Sequence, residues 1–174
     1  MTNMMHMAFF VAGAVAILAT ALAITRAVAV HGLLYLIVSL LAVAVVFYTM
    51  GAPLVAALEV IIYAGAIVVL FVFMVMMLNL GTQARETERH WLARRAWIGP
   101  VILSALLLAE VVYLIVRSPI TGTIDHVTTP KQVGMVLYGP YLLGVELASM
   151  LLLGALVGAC HLGRPSPAGS EVHK

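Results

Sequence analysis

Charge is scarce in this chain. Only 9% of its 174 residues are Asp, Glu, Lys or Arg, where a soluble domain carries roughly 25%. With 64% apolar residues and a mean hydropathy of +1.14, that deficit excludes a water-soluble globule and predicts an integral membrane protein. Cysteine is nearly absent: Cys160 stands alone, which excludes an internal disulfide and any cysteine-ligated cluster made by this chain by itself. No polar block is large enough for a second domain, so residues 1–162 are read as one transmembrane domain and residues 163–174 as a polar, disordered tail. No nucleophile–base pair, metal-ligand set or phosphate loop is visible, which counts against a stand-alone enzyme. The six histidines (His6, His31, His90, His126, His161 and His173) fall at span ends, in loops or in the tail, and are read as interfacial. The first apolar run is not followed by a cleavage site and a polar mature domain, so it reads as a span and not as a signal peptide.

What the chain does have is long apolar runs. Five spans are predicted, at about 5–24, 31–50, 54–80, 97–116 and 140–162. Gly51-Ala52-Pro53 is a tight turn with Pro53 at the first helical position, and Pro100 is placed in the first turn of the fourth span, where no hydrogen bond is lost. Between the last two spans, Thr129-Pro130-Lys131-Gln132 has the form of a capping box and predicts a short helix to Leu137. Basic residues choose the orientation. Arg26, Arg85, Arg89, Arg94, Arg95, Arg164 and Lys174 collect on one side and Arg117 and Lys131 on the other, which predicts the N-terminus outside, in the periplasm, and the C-terminus in the cytoplasm. Trp91 and Trp97, flanking Arg94 and Arg95, read as an interfacial anchor. No inverted repeat relates the halves, which counts against a self-contained transporter.

The third run, LVAALEVIIYAGAIVVLFVFMVMMLNL, is too long for an upright span, since about 20 residues already cross the hydrocarbon. The excess predicts tilt, an emergent end or a local π widening. Under α winding Ala56, Glu59, Tyr63, Ala66, Leu70, Met74 and Met77 share one stripe. Glu59, Glu110 and Glu146 all lie inside spans. A charged residue at a helix centre costs about 2.5–3.5 kcal/mol, which makes each a functional candidate. By residue count from the helix ends all three fall in the outer half of the membrane. Glu59, with Tyr63 one turn on, is the first candidate for proton handling; its structural alternative is a hydrogen bond to a neighbouring helix. Glu146, with Ser149 three residues on as a hydrogen-bond partner, is open between function and structure. Glu110, with Tyr113 and Arg117 following on roughly the same side, is read as turning to the outer surface or to a partner. Gly154 and Gly158 form a GxxxG packing pattern, and Met74, Met76 and Met77 read as adaptable packing. On spacing alone Gly65 is first a packing notch and second a point of α/π rewinding.

Three stretches, LLYLIVSLLAV (33–43), ALEVIIYAGAIVVLFVFMVMMLNL (57–80) and YGPYLLGVELASMLLL (138–153), carry a resemblance. They resemble the J-subunit family of the proton-pumping NADH:quinone oxidoreductase, bacterial counterpart of chain 6 in mitochondrial complex I. The resemblance spans all five helices and is densest in the third. It implies a multi-pass subunit of the bacterial inner membrane that binds no redox cofactor, with NADH, FMN, iron–sulfur clusters and quinone held by other subunits. It implies a place beside subunits A, H and K, no independent activity, and a third helix with a π-bulge whose rewinding accompanies formation of a proton water wire. By motif, the glutamate is Glu59, the tyrosine Tyr63 and the bulge Tyr63 to Val68, which raises the rewinding reading of Gly65 and makes Tyr63, Gly65 and Ala66 the hinge. The expected proton path is Glu59, Tyr63 and Glu146. Two alternatives stand beside it: a purely structural spacer, and a subunit of a related hydrogenase or cation-antiporter complex.

Overall fold

The computed structural model describes residues 2–26, 29–77, 95–117 and 127–163. Among them every regular element is helical. Two units are described separately, Met1–Thr129 and Pro130–Lys174. The first holds α1 (Thr2–Thr25), α2 (Ala29–Thr49), α3 (Pro53–Leu58), a π-helical segment (Glu59–Ile67), α4 (Val68–Met77) and α5 (Arg95–Arg117). The second holds α6 (Pro130–Leu137) and α7 (Leu142–Leu162). Five helical stretches are long and apolar enough to cross a membrane: Met5–Thr25, Ala29–Thr49, Pro53–Val75, Trp97–Arg117 and Leu142–Leu162. Five helices able to span and a short helix at Pro130–Leu137, as predicted, are therefore present among the described residues. The predicted end of the third span near residue 80, the Arg-containing segment 82–94 and the tail beyond Gly163 lie outside the described residues.

The core is a zipper of small residues. Ala8, Ala12, Val15, Ala16 and Ala19 of α1 pack with Val38, Ala42 and Val45 of α2, and Leu107 and Leu114 of α5 close the group. In hydrocarbon the apolar effect gives helices no reason to associate, so close backbone approach and interhelical hydrogen bonds must supply it. Both are here. The Thr20 hydroxyl donates to the Ala16 carbonyl at 2.8 Å and lies 2.6 Å from Ser39 Oγ, and Ser39 Oγ donates to the same carbonyl at 3.2 Å.

Between α2 and α3 the chain reverses at Gly51, whose φ of 81° is open to glycine at little cost. Pro53 then starts α3 at a position that needs no N–H partner. The Thr128 N–H donates to the Gly51 carbonyl at 3.0 Å, tying the segment after α5 to this turn.

Pro100 departs from expectation. Because α5 begins at Arg95, the proline lies inside the helix and forfeits a backbone bond there. Gly99 makes this tolerable, since a proline ring clashes with the side chain of the residue before it and Gly99 has none. The same glycine admits a second group: a Cβ at 99 would collide with the Tyr35 hydroxyl. Tyr35 is buried, and the Arg26 guanidinium lies 5.1 Å from its ring centre.

Candidate functional site

The third span is where the backbone leaves α geometry. For nine residues, Glu59–Ile67, it is π-helical, and the Val68 N–H reaches the Tyr63 carbonyl five residues back. The π widening predicted from the length of this run is observed, and it is longer than the Tyr63–Val68 region expected.

This winding corrects the predicted stripe. Ala56 is buried, but Leu70, Met74 and Met77 are exposed, and Val68 is the most deeply buried residue of the span, at 1% exposure. Twelve residues separate Ala56 from Val68. At 100° per residue they would point about 120° apart in a plain α-helix. Spending one residue as a π insertion brings them to within about 20°. The insertion therefore lets both ends of one long span turn the same face to α2. A stripe drawn with one period through the span could not include Val68, and that is why the reading missed it.

Glu59 opens the π segment and is half-buried; Tyr63 is 51% exposed, Ala64 and Gly65 are half-buried, and Ala66 is exposed. A Cβ built on Gly65 would lie 3.2 Å from the Val60 carbonyl oxygen, a tight approach. Between α2, α3 and α5 lies an apolar cleft of about 670 Å³, whose lining includes Val45, Tyr48, Ala56, Val60, Leu107 and Val111. The π segment thus has open space behind it at Val60.

In the second unit Glu146 is exposed on α7, and Ser149 does not bond its carboxylate: Ser149 Oγ donates to the Glu146 backbone carbonyl at 2.7 Å. A serine in mid-helix commonly returns its hydroxyl to a carbonyl of the preceding turn. Within the second unit, Cβ atoms at Gly154 and Gly158 would meet nothing within 4 Å.

Two residues hold buried polar atoms without partners. The expected setting of Glu110 is the outer surface or a partner; within this chain it is half-buried. Both its carboxylate oxygens are buried without a hydrogen-bond partner, and Arg117 lies over the Tyr113 ring, 5.8 Å from its centre. The cause is legible in retrospect, since Leu103, Leu107 and Leu114 recur at helical spacing and Glu110 falls among them on the packed face. His31 stands near the start of its span, as expected, and is buried there with Nε2 unpartnered. Among the described residues no group of three His, Cys, Asp or Glu could hold a metal ion.

Comparison with known proteins supplies the context. A family model described as NADH-ubiquinone/plastoquinone oxidoreductase chain 6 matches residues 19–162. A protein of Pseudomonas aeruginosa named NADH-quinone oxidoreductase subunit J is 56% identical over 161 residues, covering 92% of this chain and 97% of that one. The protein of the same name in Escherichia coli K12 is 54% identical over 165 residues, covering 95% and 90%. One from Buchnera aphidicola of Acyrthosiphon pisum is 46% identical over 159 residues, covering 91% and 94%.

Proposed function

The chain belongs to the NADH-ubiquinone/plastoquinone oxidoreductase chain 6 family, and on that premise we propose that it couples quinone reduction to proton movement in the membrane arm of a bacterial complex I. The relatives' names make it a subunit of an enzyme complex, and the coupling role is our reading. The observation that carries this reading is the π winding at Glu59–Ile67. A π segment holds its residue insertion at a cost in backbone geometry, and it can release that insertion by rewinding to α. Rewinding turns everything beyond it by roughly 100°, which changes what faces Glu59 and Tyr63. The cleft behind Val60 gives the backbone room to move.

In this mechanism Glu59 accepts and passes a proton, Tyr63 orders water or hydrogen-bonds beside it, and Tyr63, Gly65 and Ala66 form the hinge. Glu146 is a further station on the proton path. Glu59 suits its part because a carboxyl in a span must find polar company, and lipid offers none. Tyr63 is half-exposed in the isolated chain, which fits a phenol completed by other subunits; A, H and K are the neighbours we assign. NADH, FMN, iron–sulfur clusters and quinone belong to those other parts of the complex. The membrane is the bacterial inner membrane, with the N-terminus periplasmic and the C-terminus cytoplasmic.

Glu59→Gln in the assembled complex tests the reading. Loss of proton transfer, with near-normal amounts of assembled complex, is the expected result. Wild-type pumping per assembled complex would remove Glu59 from the path.

A further inference from the structure

Glu110 is half-buried, with both carboxylate oxygens out of reach of solvent, and the coupling mechanism has no use for it. It lies on α5 between Leu107 and Leu114, both packed into the α1–α2 core, and neither of its oxygens has a hydrogen-bond partner. Among the described residues, the helices packed against α5 offer it no hydrogen-bond partner. On α1 the ionisable side chain is His6, near its start, and Arg26, just past its end, is stacked on Tyr35. On α2 they are His31, Tyr35 and Tyr48, at the ends or within the first turns. The hydroxyls at membrane depth, Thr20 and Ser39, are spent on each other and on the Ala16 carbonyl. On α5 itself Tyr113 and Arg117 are paired through the ring. An ionised carboxylate sealed away with neither counter-charge nor donor is among the costliest arrangements in a protein interior. A carboxylic acid carrying its proton, with water on its remaining lone pairs, is not.

We propose that Glu110 is a second proton-binding site of this chain, a neutral acid enclosed by α1, α2 and α5 that exchanges its proton through internal water and pairs with no cation. The proposal does not rest on the part given to Glu59, which belongs to a different helix and a different environment.

Infrared spectroscopy of the purified complex tests it, because a protonated carboxyl shows a C=O stretch that an ionised one lacks. The expected result is a carboxylic-acid band that moves to lower frequency in D2O, disappears in Glu110→Gln and Glu110→Leu, and persists in Glu59→Gln. Glu110→Leu guards against misfolding, since leucine matches the apolar face on which Glu110 lies. A spectrum unchanged by either Glu110 variant overturns the proposal. So does a band that D2O leaves in place, because no water then reaches the site. Failure of both variants to assemble also overturns it, since an acid that neither its amide nor a hydrocarbon can replace is bonded to a fixed partner.

Discussion

At Gly99 the effect of a single methyl group is predictable. Its missing Cβ serves two neighbours at once, the Pro100 ring in sequence and the Tyr35 hydroxyl in space. Gly99→Ala forces Tyr35 out of the α1–α2–α5 junction, and overpacking of this kind costs about 1–3 kcal/mol. The expected outcome is a lower thermal midpoint of the complex, read by loss of activity after graded heating. Adding Tyr35→Phe removes the atom in collision and should restore part of the loss, although the ring carbon behind it, 3.0 Å from the built Cβ, keeps the recovery incomplete. Gly65 has a different character. An alanine there meets the Val60 carbonyl oxygen at 3.2 Å, a crowding that belongs to the π turn, and alanine also favours α winding over glycine by up to about 1 kcal/mol. Both effects act in one direction. A density map of the complex bearing Gly65→Ala should show plain α winding through residues 59–67, with side chains beyond them rotated by about 100°. A π segment unchanged in that map would show that Gly65 does not set the winding. Gly65→Val, bulkier and β-branched, should fail in coupling or assembly.

The third span as an element makes a prediction that no single side chain makes. If Glu59–Ile67 contains one residue more than α winding needs, deleting one residue inside it returns the backbone to α while leaving Val68 turned toward α2. Deletion of Ala64 should therefore permit assembly, with proton transfer lost because the rewinding step is gone. Deletion of Ala44 from α2, which has no surplus residue, should swing half of that helix out of the core and abolish assembly. Immunoblots of assembled complex separate the two outcomes. The same contrast explains what was legible in the sequence. Span number, the glycine turn at 51 and the start of α6 at Pro130 depend on hydropathy and local backbone chemistry, which are written residue by residue. The burial of Val68 depends on where an insertion falls, and one α period drawn through the span sent the stripe to Met74 and Met77 instead. The burial of the Glu110 carboxylate oxygens was hidden for a related reason. The neighbours Tyr113 and Arg117 suggested a polar face, whereas Leu103, Leu107 and Leu114 held the packed one. The Glu59–Tyr63 pair was visible because both residues are chemically conspicuous in a long apolar run, but whether Ser149 bonds the carboxylate or the backbone of Glu146 is a matter of rotamer, on which spacing is silent.

The third span is largely uncovered within its own unit, where only 11% of its apolar window is buried. For a helix in lipid, exposed leucine is no burden, but Glu146 and the Gly154–Gly158 notch on α7 are groups that protein covers and acyl chains do not. Expressed without its partner subunits, the chain should be degraded rapidly; a pulse-chase experiment should give it a long lifetime only when they are co-expressed. Charge predicts the orientation. Five spans would put seven basic residues on one side and two on the other, and the richer side is then expected in the cytoplasm. A green fluorescent protein fused after Lys174 should therefore fluoresce, and alkaline phosphatase inserted after Thr128 should be active. The reverse pair of results would place Arg117 and Lys131 inside, in defiance of the charge count. It would also turn Glu59, near the end of its span that follows the Gly51 turn, toward the cytoplasmic half of the membrane, so that its proton would be exchanged with the opposite aqueous phase.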